Sequence, residues 1–250
     1  MPTQLDILDE MKRLIEAARA KEILLRVIGG LAVRVHSGDY QKFFAREYPD
    51  LDFVTTDKDR RKLEPFFTGM GYESNKKFNV LNGASRQIYH DDSTGRRLDI
   101  FVGDFQMCHK LPLNGRLHLD PVTIPLAELL LSKAQIVELN RKDALDMASI
   151  LLYNETGQDD ANKINLAYIA QLCSQDWGLY KTTSLNLKRV EAVVADEKLN
   201  LTKEERDQIL NRIREIYQTF ESMPKSLAWQ MRDKVGTRVR WYEEVEEVAR

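Results

Sequence analysis

Two aspartates separated by one residue, Asp50 and Asp52, are the pair in this sequence best placed to do chemistry. They lie in YPDLDFVTT (48–56), a segment that predicts a strand. Because residues i and i+2 of a strand share a face, both carboxylates would project together while Leu51 and Phe53 point into the core. A divalent cation, Mg²⁺ or Mn²⁺, would relieve the repulsion between them. The alternative is a solvent-facing strand whose polar face is acidic.

A third carboxylate, Asp99, lies in RRLDIFVGD (96–104), which also predicts a strand. Asp99 falls on the face opposite Leu98, Ile100 and Val102. If this strand lies beside the first, three carboxylates converge. Such a set can hold two metal ions about 4 Å apart, the arrangement used for in-line phosphoryl displacement. Taken alone, Asp99 would be a surface acid on an edge strand.

Gly29 and Gly30 end a short apolar segment, ILLRVI (23–28), and precede a predicted helix. Free backbone N–H groups at the start of a helix bind phosphate. A glycine pair also serves ordinary tight turns. No G-K-[ST] follows, and the pattern is not G-x-G-x-x-G, so neither a P-loop nor a dinucleotide fingerprint is present.

Lys133 falls inside the apolar stripe of a helix predicted over 126–139. A lysine in such a stripe needs a partner. It would either contact a triphosphate or leaving group, or form an internal ion pair with Asp143 or Asp146. Reaching back to solvent is a further structural alternative. We weigh the functional and structural interpretations evenly, and an aspartate could also orient the lysine toward a phosphate.

Two other features invite a functional interpretation that we consider weaker than the structural one. Cys108 and His109 are adjacent, so on a strand they would point to opposite faces and could not form a nucleophile–base pair. The C-terminal stretch 224–248 interleaves basic and aromatic residues, a pattern that can bind nucleic acid. We favour a helical cap whose tryptophans are core and whose cations face solvent or pair with the acidic tail.

The elements that must position these residues alternate between helix and strand in the first half of the chain. Helical spacing covers 5–20, and strands are predicted at 23–28 and 48–56. A short helix would follow the glycines at 31–37, and a longer one would span 57–71 with Asp57 as its N-cap. Three further strands are predicted near 72–80, 85–91 and 96–103. From about Pro125 the predicted segments are helical: 126–139, 142–155, 162–174, 184–196, 202–222, 225–234 and 239–249.

This order predicts an α+β fold, with a mixed sheet flanked by helices over 1–122 and an all-helical region over 123–250. The 250 residues are 43% hydrophobic, with a formal net charge of −2, so a real core forms and no global charge favours nucleic acid or a membrane. Two cysteines and four histidines show no zinc-ligand spacing. The N-terminal residues lack the features of a signal peptide and no apolar run suits a membrane span, so we expect a cytoplasmic protein.

The succession of strand, Gly-Gly, short helix, D-x-D strand, helix and a strand with a third acid resembles the nucleotidyltransferase superfamily. The segment GGLAVRVHS…YPDLDFVTTD is similar to the abortive-infection (AbiEii-like) toxin nucleotidyltransferases and to the aminoglycoside and lincosamide nucleotidyltransferases. IPLAELLLSKAQIVELNRKDALDMASILL (124–152) resembles the helical segment of the abortive-infection group. The resemblance covers roughly residues 20–155 and implies a nucleotidyltransferase-type sheet.

What the resemblance implies can be placed on individual positions. Gly29 and Gly30 would cradle the triphosphate, and Asp50, Asp52 and Asp99 would ligate Mg²⁺ or Mn²⁺, with Asp99 also a candidate base for the attacking hydroxyl. Gly30 stands where many members carry Ser or Thr, so backbone N–H groups would have to supply that phosphate contact.

The implied activity is transfer of a nucleoside monophosphate from an NTP to an acceptor hydroxyl on a small molecule, an RNA such as tRNA, or a protein. The alternative is a catalytically inactive nucleotide-binding or regulatory module with the same fold.

Overall fold

The computed structural model describes residues 3–37, 48 and 50–245 and has a mixed α+β architecture. Its contacts divide these residues into two compact units. The first contains 3–35, 48, 50–105 and 112–125, and the second contains 36–37, 106–111 and 126–245. The predicted division near residue 122 stays a prediction.

A five-stranded mixed sheet forms the centre of the first unit, with the strand order β1-β2-β5-β4-β3. Its strands are β1 Leu25–Val27, β2 Asp50–Thr55, β3 Glu73–Ser74, β4 Arg86–Asp91 and β5 Arg96–Val102. The pair β2 and β5 is parallel, whereas the other three pairs are antiparallel. The predicted fold class is thus confirmed for this half of the chain.

The helices of the first unit are α1 Ile7–Ala20, α2 Gly29–Ser37, α3 Leu63–Gly69 and α4 Lys76–Asn82, with a 3-10 helix over Asp57–Lys62. One face of the sheet packs into the core, where Phe53 and Leu98 are fully buried. Helix α3 covers this face, since the rings of Phe67 and Tyr89 lie 4.7 Å apart. The opposite face is therefore the one on which β2 and β5 can display polar side chains.

Three local predictions for this unit were wrong. The strand predicted over 72–80 is only two residues long, and α4 follows it, because the Asn75 side chain caps that helix by accepting the Phe78 N–H. The apolar residues Val80 and Leu81 of this helix are 84% and 78% exposed. The predicted N-cap Asp57 is instead the first residue of the 3-10 helix. Helix α2 begins at the first glycine and not after the second.

The second unit is mainly helical. Its helices are α5 Leu126–Ala134, α6 Arg141–Tyr153, α7 Leu166–Gln175, α8 Trp177–Ala195, α9 Lys203–Ser222 and α10 Leu227–Val235, with a 3-10 helix over Gly236–Arg238. Short strands that the sequence did not predict are β6 Phe105–Gln106, β7 Lys110–Leu111, β8 Thr156–Gly157 and β9 Ile164–Asn165. The helix predicted over 239–249 is absent from 239–245, and its remaining residues lie outside the described part.

The basic and aromatic C-terminal stretch agrees only in part with the helical-cap interpretation, since Trp229 and Trp241 are half-buried and do not lie in the core. The Trp229 indole N–H donates to the carbonyl oxygen of Cys173 at 2.9 Å. The Trp241 indole N–H donates to Thr182 Oγ1 at 2.9 Å, and its ring meets that of Trp177 edge-on. Both indole N–H groups therefore have partners within the second unit.

Among the residues described, no helix combines the length and the hydrophobicity needed to cross a membrane.

Candidate active site

The parallel pairing of β2 with β5 brings the sequence-predicted carboxylates together. Asp52 lies directly opposite Asp99 in the register, and Asp50 lies opposite Arg97. Since the side chains alternate, all four project from one face of the sheet. Their neighbours Leu51, Phe53, Leu98 and Ile100 are fully buried on the other face. We call the face that carries Asp50, Asp52, Asp99, Arg86 and Arg97 the carboxylate face.

Asp99 is held by two arginines. Arg86 donates from Nε to Oδ1 at 2.7 Å and from Nη2 to Oδ2 at 2.5 Å, a bidentate pair. Arg97 Nη2 lies 3.4 Å from the same Oδ2. The Asp99 side chain is only 8% exposed. Both carboxylate oxygens of Asp99 therefore already have cationic partners.

Arg86 offsets the negative charge of this face. Its hydrogen bonds to Asp99 raise the pKa of the guanidinium against the effect of burial, and the charges of Asp99 and Asp52 raise it further. The guanidinium also lies over the ring of Phe101, 5.0 Å from the centroid. Two carboxylates opposite each other on adjacent strands repel, and Arg86 is placed to reduce that cost.

Gly29 lets the start of α2 approach Asp52 closely. Its φ is +75°, a left-handed conformation that side chains rarely adopt. A Cβ at this position would lie 2.7 Å from Asp52 Oδ2. The preceding residue donates its backbone N–H to the Asp52 carbonyl oxygen at 3.0 Å, which fixes the glycine against β2. Gly30 occupies the second position of the helix, whose first N–H groups lack helical partners.

These residues fit a divalent cation through Asp50 and Asp52. Both are half-buried on one face, and the space beside Asp52 is one that a Cβ at residue 29 would fill. Asp50 makes no hydrogen bond or ion pair with any residue that the structure describes. In the same part of the chain, no three Asp, Glu, His or Cys side chains are grouped to hold a metal ion. The three-carboxylate site stays a prediction, since Asp99 is engaged by Arg86.

Sequence reasoning missed both arginines. Arg97 precedes Asp99 by two residues, so strand alternation alone would have placed it on the carboxylate face. Arg86 is a diagonal neighbour, because its strand pairs Ile88 with Asp99. Finding it required the register of the β4–β5 hairpin.

Lys133 lies in the second unit and forms the ion pairs that the structural interpretation anticipated. Its Nζ is 2.9 Å from Asp143 Oδ1 and 2.9 Å from Asp146 Oδ2. Burial alone would lower the pKa of this lysine, but the charges and hydrogen bonds of Asp146 and Asp143 raise it above its ordinary value. The proposed triphosphate contact stays a prediction.

Cys108 and His109 are both buried, as the structural interpretation expects. His109 Nε2 is hydrogen-bonded to Thr182 Oγ1 at 2.8 Å, and its backbone N–H donates to Gln135. Burial lowers the pKa of this histidine, although the charges of Asp176 and Glu243 oppose the shift. The ring therefore serves the packing of the second unit.

Comparison with known proteins gives limited information. The sequence matches no protein-family model and no curated protein. Among solved structures, the fold is similar to an antigenic nucleotidyltransferase-like protein from Paracoccidioides brasiliensis, at 17% identity and a TM-score of 0.38, over 70% of this chain and 92% of that chain. It is also similar to the STING-associated CdnE c-di-GMP synthase from Capnocytophaga granulosa, at 8% identity and a TM-score of 0.31, over 85% of this chain and 79% of that chain. At such identities and TM-scores, neither likeness identifies the activity of this chain.

Replacing Gly29 with alanine should damage the carboxylate face specifically. The left-handed backbone makes alanine unfavourable by about 1–2 kcal/mol, and the new Cβ would push the Asp52 carboxylate aside. Gly95→Ala is the matched control, since Gly95 has φ +68° and nothing within 4 Å of its added Cβ. Urea denaturation should show a loss of stability in both variants, and a larger one in Gly29→Ala because of the collision with Asp52, while Mn²⁺ binding should weaken only in Gly29→Ala. Equal Mn²⁺ affinities would contradict the placement of the site beside Gly29.

Replacing Lys133 with methionine separates its two interpretations. Asp146, whose side chain is 1% exposed, would lose its cation, so the free energy of unfolding should fall by about 3–5 kcal/mol. Lys142→Met, an exposed position on α6, should change it by less than about 0.5 kcal/mol. Thermal melts with and without NTP and Mg²⁺ then test the phosphate contact. A ligand-induced shift that survives in Lys133→Met would assign the lysine to packing alone.

Proposed function

We propose that this chain is a divalent-cation-dependent nucleotidyltransferase, which moves a nucleoside monophosphate from an NTP to an acceptor hydroxyl and releases pyrophosphate. One observation carries the proposal. The register of β2 and β5 gathers three carboxylates on one face, with Asp52 directly against the glycine that opens α2.

Asp50 and Asp52 would hold the cation, and Asp99 would join them once its oxygens leave Arg86. When bound, such a cation neutralises charge on the triphosphate and on the leaving group. Arg86 would then find new anionic partners in the phosphate oxygens, so its charge stays compensated in both states. Exchanging one anionic partner for another avoids leaving a largely buried guanidinium unpaired.

The start of α2 would bind the triphosphate. The N–H groups of Gly29 and Gly30 belong to the first turn of the helix, where the helix dipole favours anions. Neither residue has a hydroxyl, so this contact would come from the backbone alone. The close approach of α2 to Asp52 would set the triphosphate beside the carboxylates.

The reaction needs one proton acceptor and an in-line geometry. The acceptor oxygen forms a bond to the α-phosphorus while the bond from that phosphorus to the bridging oxygen of the β-phosphate breaks, and pyrophosphate leaves. Asp99 would take the proton of the hydroxyl, because it lies opposite Asp52 in the register. Positioning and charge neutralisation would supply most of the rate enhancement. The acceptor, whether a small molecule, an RNA such as tRNA, or a protein, is left open.

A second candidate function is an inactive nucleotide-binding module with the same fold. The bidentate contact of Arg86 with Asp99 favours it, since a carboxylate held in this way cannot serve as ligand or base without rearrangement. The absence of a hydroxyl at Gly30 points in the same direction. This module would bind NTP through α2 and Asp52 without transferring any group.

A transfer assay separates the two functions. The full chain is incubated with each of four α-³²P-labelled NTPs, Mg²⁺, and cellular RNA, protein or metabolites, and label is traced into each fraction. We expect transfer by the wild type, a loss of at least about 100-fold in Asp52→Asn, and full activity in Asp92→Asn, an exposed control in the β4–β5 turn. NTP binding without transfer by the wild type would favour the inactive module. Full activity of Asp52→Asn would contradict both.

A further inference from the structure

A cationic cavity lies on the first unit, away from the carboxylate face. Its volume is about 430 Å³, within the range of small-molecule sites. Arg60 and Arg61 of the 3-10 helix and Lys76 of α4 line it, together with one acid, Glu64. The remaining lining residues are Ser74, Asn79, Val80 and Gln87.

This cavity opens on the helix-covered side of the sheet. Gln87 lines it and pairs with Ile100 in the β4–β5 ladder, so its side chain shares the face of Ile100. Arg86, the preceding residue, points to the carboxylate face. A ligand in the cavity would therefore be separated by the sheet from Asp52 and Asp99.

The three cations have no structural task in the part of the chain that the structure describes. None of the side chains of Arg60, Arg61 and Lys76 makes a hydrogen bond or an ion pair there. Three like charges around one cavity repel, and the single carboxylate of Glu64 leaves an excess of positive charge. Such an arrangement is stabilised when an anion occupies the space between them.

The two amide side chains in the floor of the cavity, Asn79 and Gln87, already have hydrogen-bond partners. Asn79 accepts the Ile88 N–H at 2.7 Å and donates to the Ile88 carbonyl oxygen and to Ser74 Oγ. Gln87 donates to the Gly83 carbonyl oxygen at 3.1 Å and accepts from the Tyr89 hydroxyl. The donors left for a ligand are thus the Ser74 hydroxyl and the charged groups, and of these the arginine forks match phosphate oxygens best.

We propose that this cavity is a second binding site, which takes a small phosphorylated molecule of about the size of a nucleoside monophosphate. Arg60, Arg61 and Lys76 bind the phosphate, and Val80, 84% exposed, offers an apolar wall for the group that carries it. An open cavity of this size with three cations suits a compact ligand, whereas a nucleic-acid backbone requires a basic stripe that continues across the surface. The site does not depend on the proposed transferase activity.

Calorimetric titration of the full chain with AMP and with inorganic pyrophosphate tests this site. EDTA is present, so that no divalent cation supports binding at the carboxylate face, and ionic strength is physiological. The test variant is Arg61→Gln/Lys76→Gln. The matched control is Lys58→Gln/Lys77→Gln, which removes the same charge from exposed positions on the same two elements outside the cavity.

We expect AMP and pyrophosphate to bind the wild type, the control and Asp52→Asn alike. Affinity should fall by at least about tenfold in Arg61→Gln/Lys76→Gln and rise in Glu64→Gln, which removes the opposing charge. Absence of binding to the wild type would overturn the proposal, as would equal losses in test and control variants. Loss in Asp52→Asn would place the ligand on the carboxylate face instead. If a single-stranded RNA binds more tightly than AMP, and both the test and the control variants weaken it, the cations form a nucleic-acid surface and the proposal is wrong.

Discussion

The parallel register of β2 against β5 is the constraint on which the rest of the candidate site depends. Burial of Leu51, Phe53, Leu98 and Ile100 fixes that register, because a slip of one residue would turn the apolar set to the other face. The same register places Asp52 opposite Asp99, a pairing of like charges that is unfavourable by itself. Burial of the apolar side chains on one face of the sheet therefore enforces the unfavourable pairing of Asp52 with Asp99 on the other face.

Two residues, Arg86 and Gly29, reduce the repulsion between these carboxylates and allow α2 to approach them. The half-buried guanidinium of Arg86 is hydrogen-bonded to Asp99, and the negative charge of Asp52 also raises its pKa. Gly29 removes the side chain that would otherwise collide with Asp52, so that the first turn of α2 meets a carboxylate at close range. Together they produce a face with acids, cations and free backbone N–H groups in one place. Our proposal is that this face binds a triphosphate and a divalent cation once Arg86 changes partners.

Much of this face could be predicted from the sequence, because it follows from alternation along single strands. The D-x-D pattern alone predicted that Asp50 and Asp52 share a face. Asp99 joins them because its strand pairs with theirs. The ion pairs of Lys133 with Asp143 and Asp146 were also among the alternatives, since a lysine in an apolar stripe needs an anion. The predicted roles of these residues in metal and phosphate binding stay predictions.

What could not be predicted depends on contacts between elements. The contact of Arg86 with Asp99 requires the register of a hairpin, and Arg86 itself looks like any strand-flanking arginine. Helix α4 overlaps the segment 72–80 that was predicted as a strand, and its placement depends on Asn79, which binds β4 while Val80 and Leu81 stay exposed. The cationic cavity brings together side chains of the 3-10 helix, α3, β3, α4 and β4, so it depends on how these elements pack and could not be predicted from the sequence.

Binding of Mn²⁺, measured by electron paramagnetic resonance with a non-hydrolysable NTP present, is the decisive test of a metal site on the carboxylate face. We expect the wild type and Asp92→Asn to bind Mn²⁺ together with the nucleotide, and Asp50→Asn/Asp52→Asn to lose this binding. Arg86→Gln should bind Mn²⁺ more tightly than the wild type when nucleotide is absent, since Asp99 is then released. Equal Mn²⁺ affinity in the wild type and in Asp50→Asn/Asp52→Asn would show that Asp50 and Asp52 do not hold the metal.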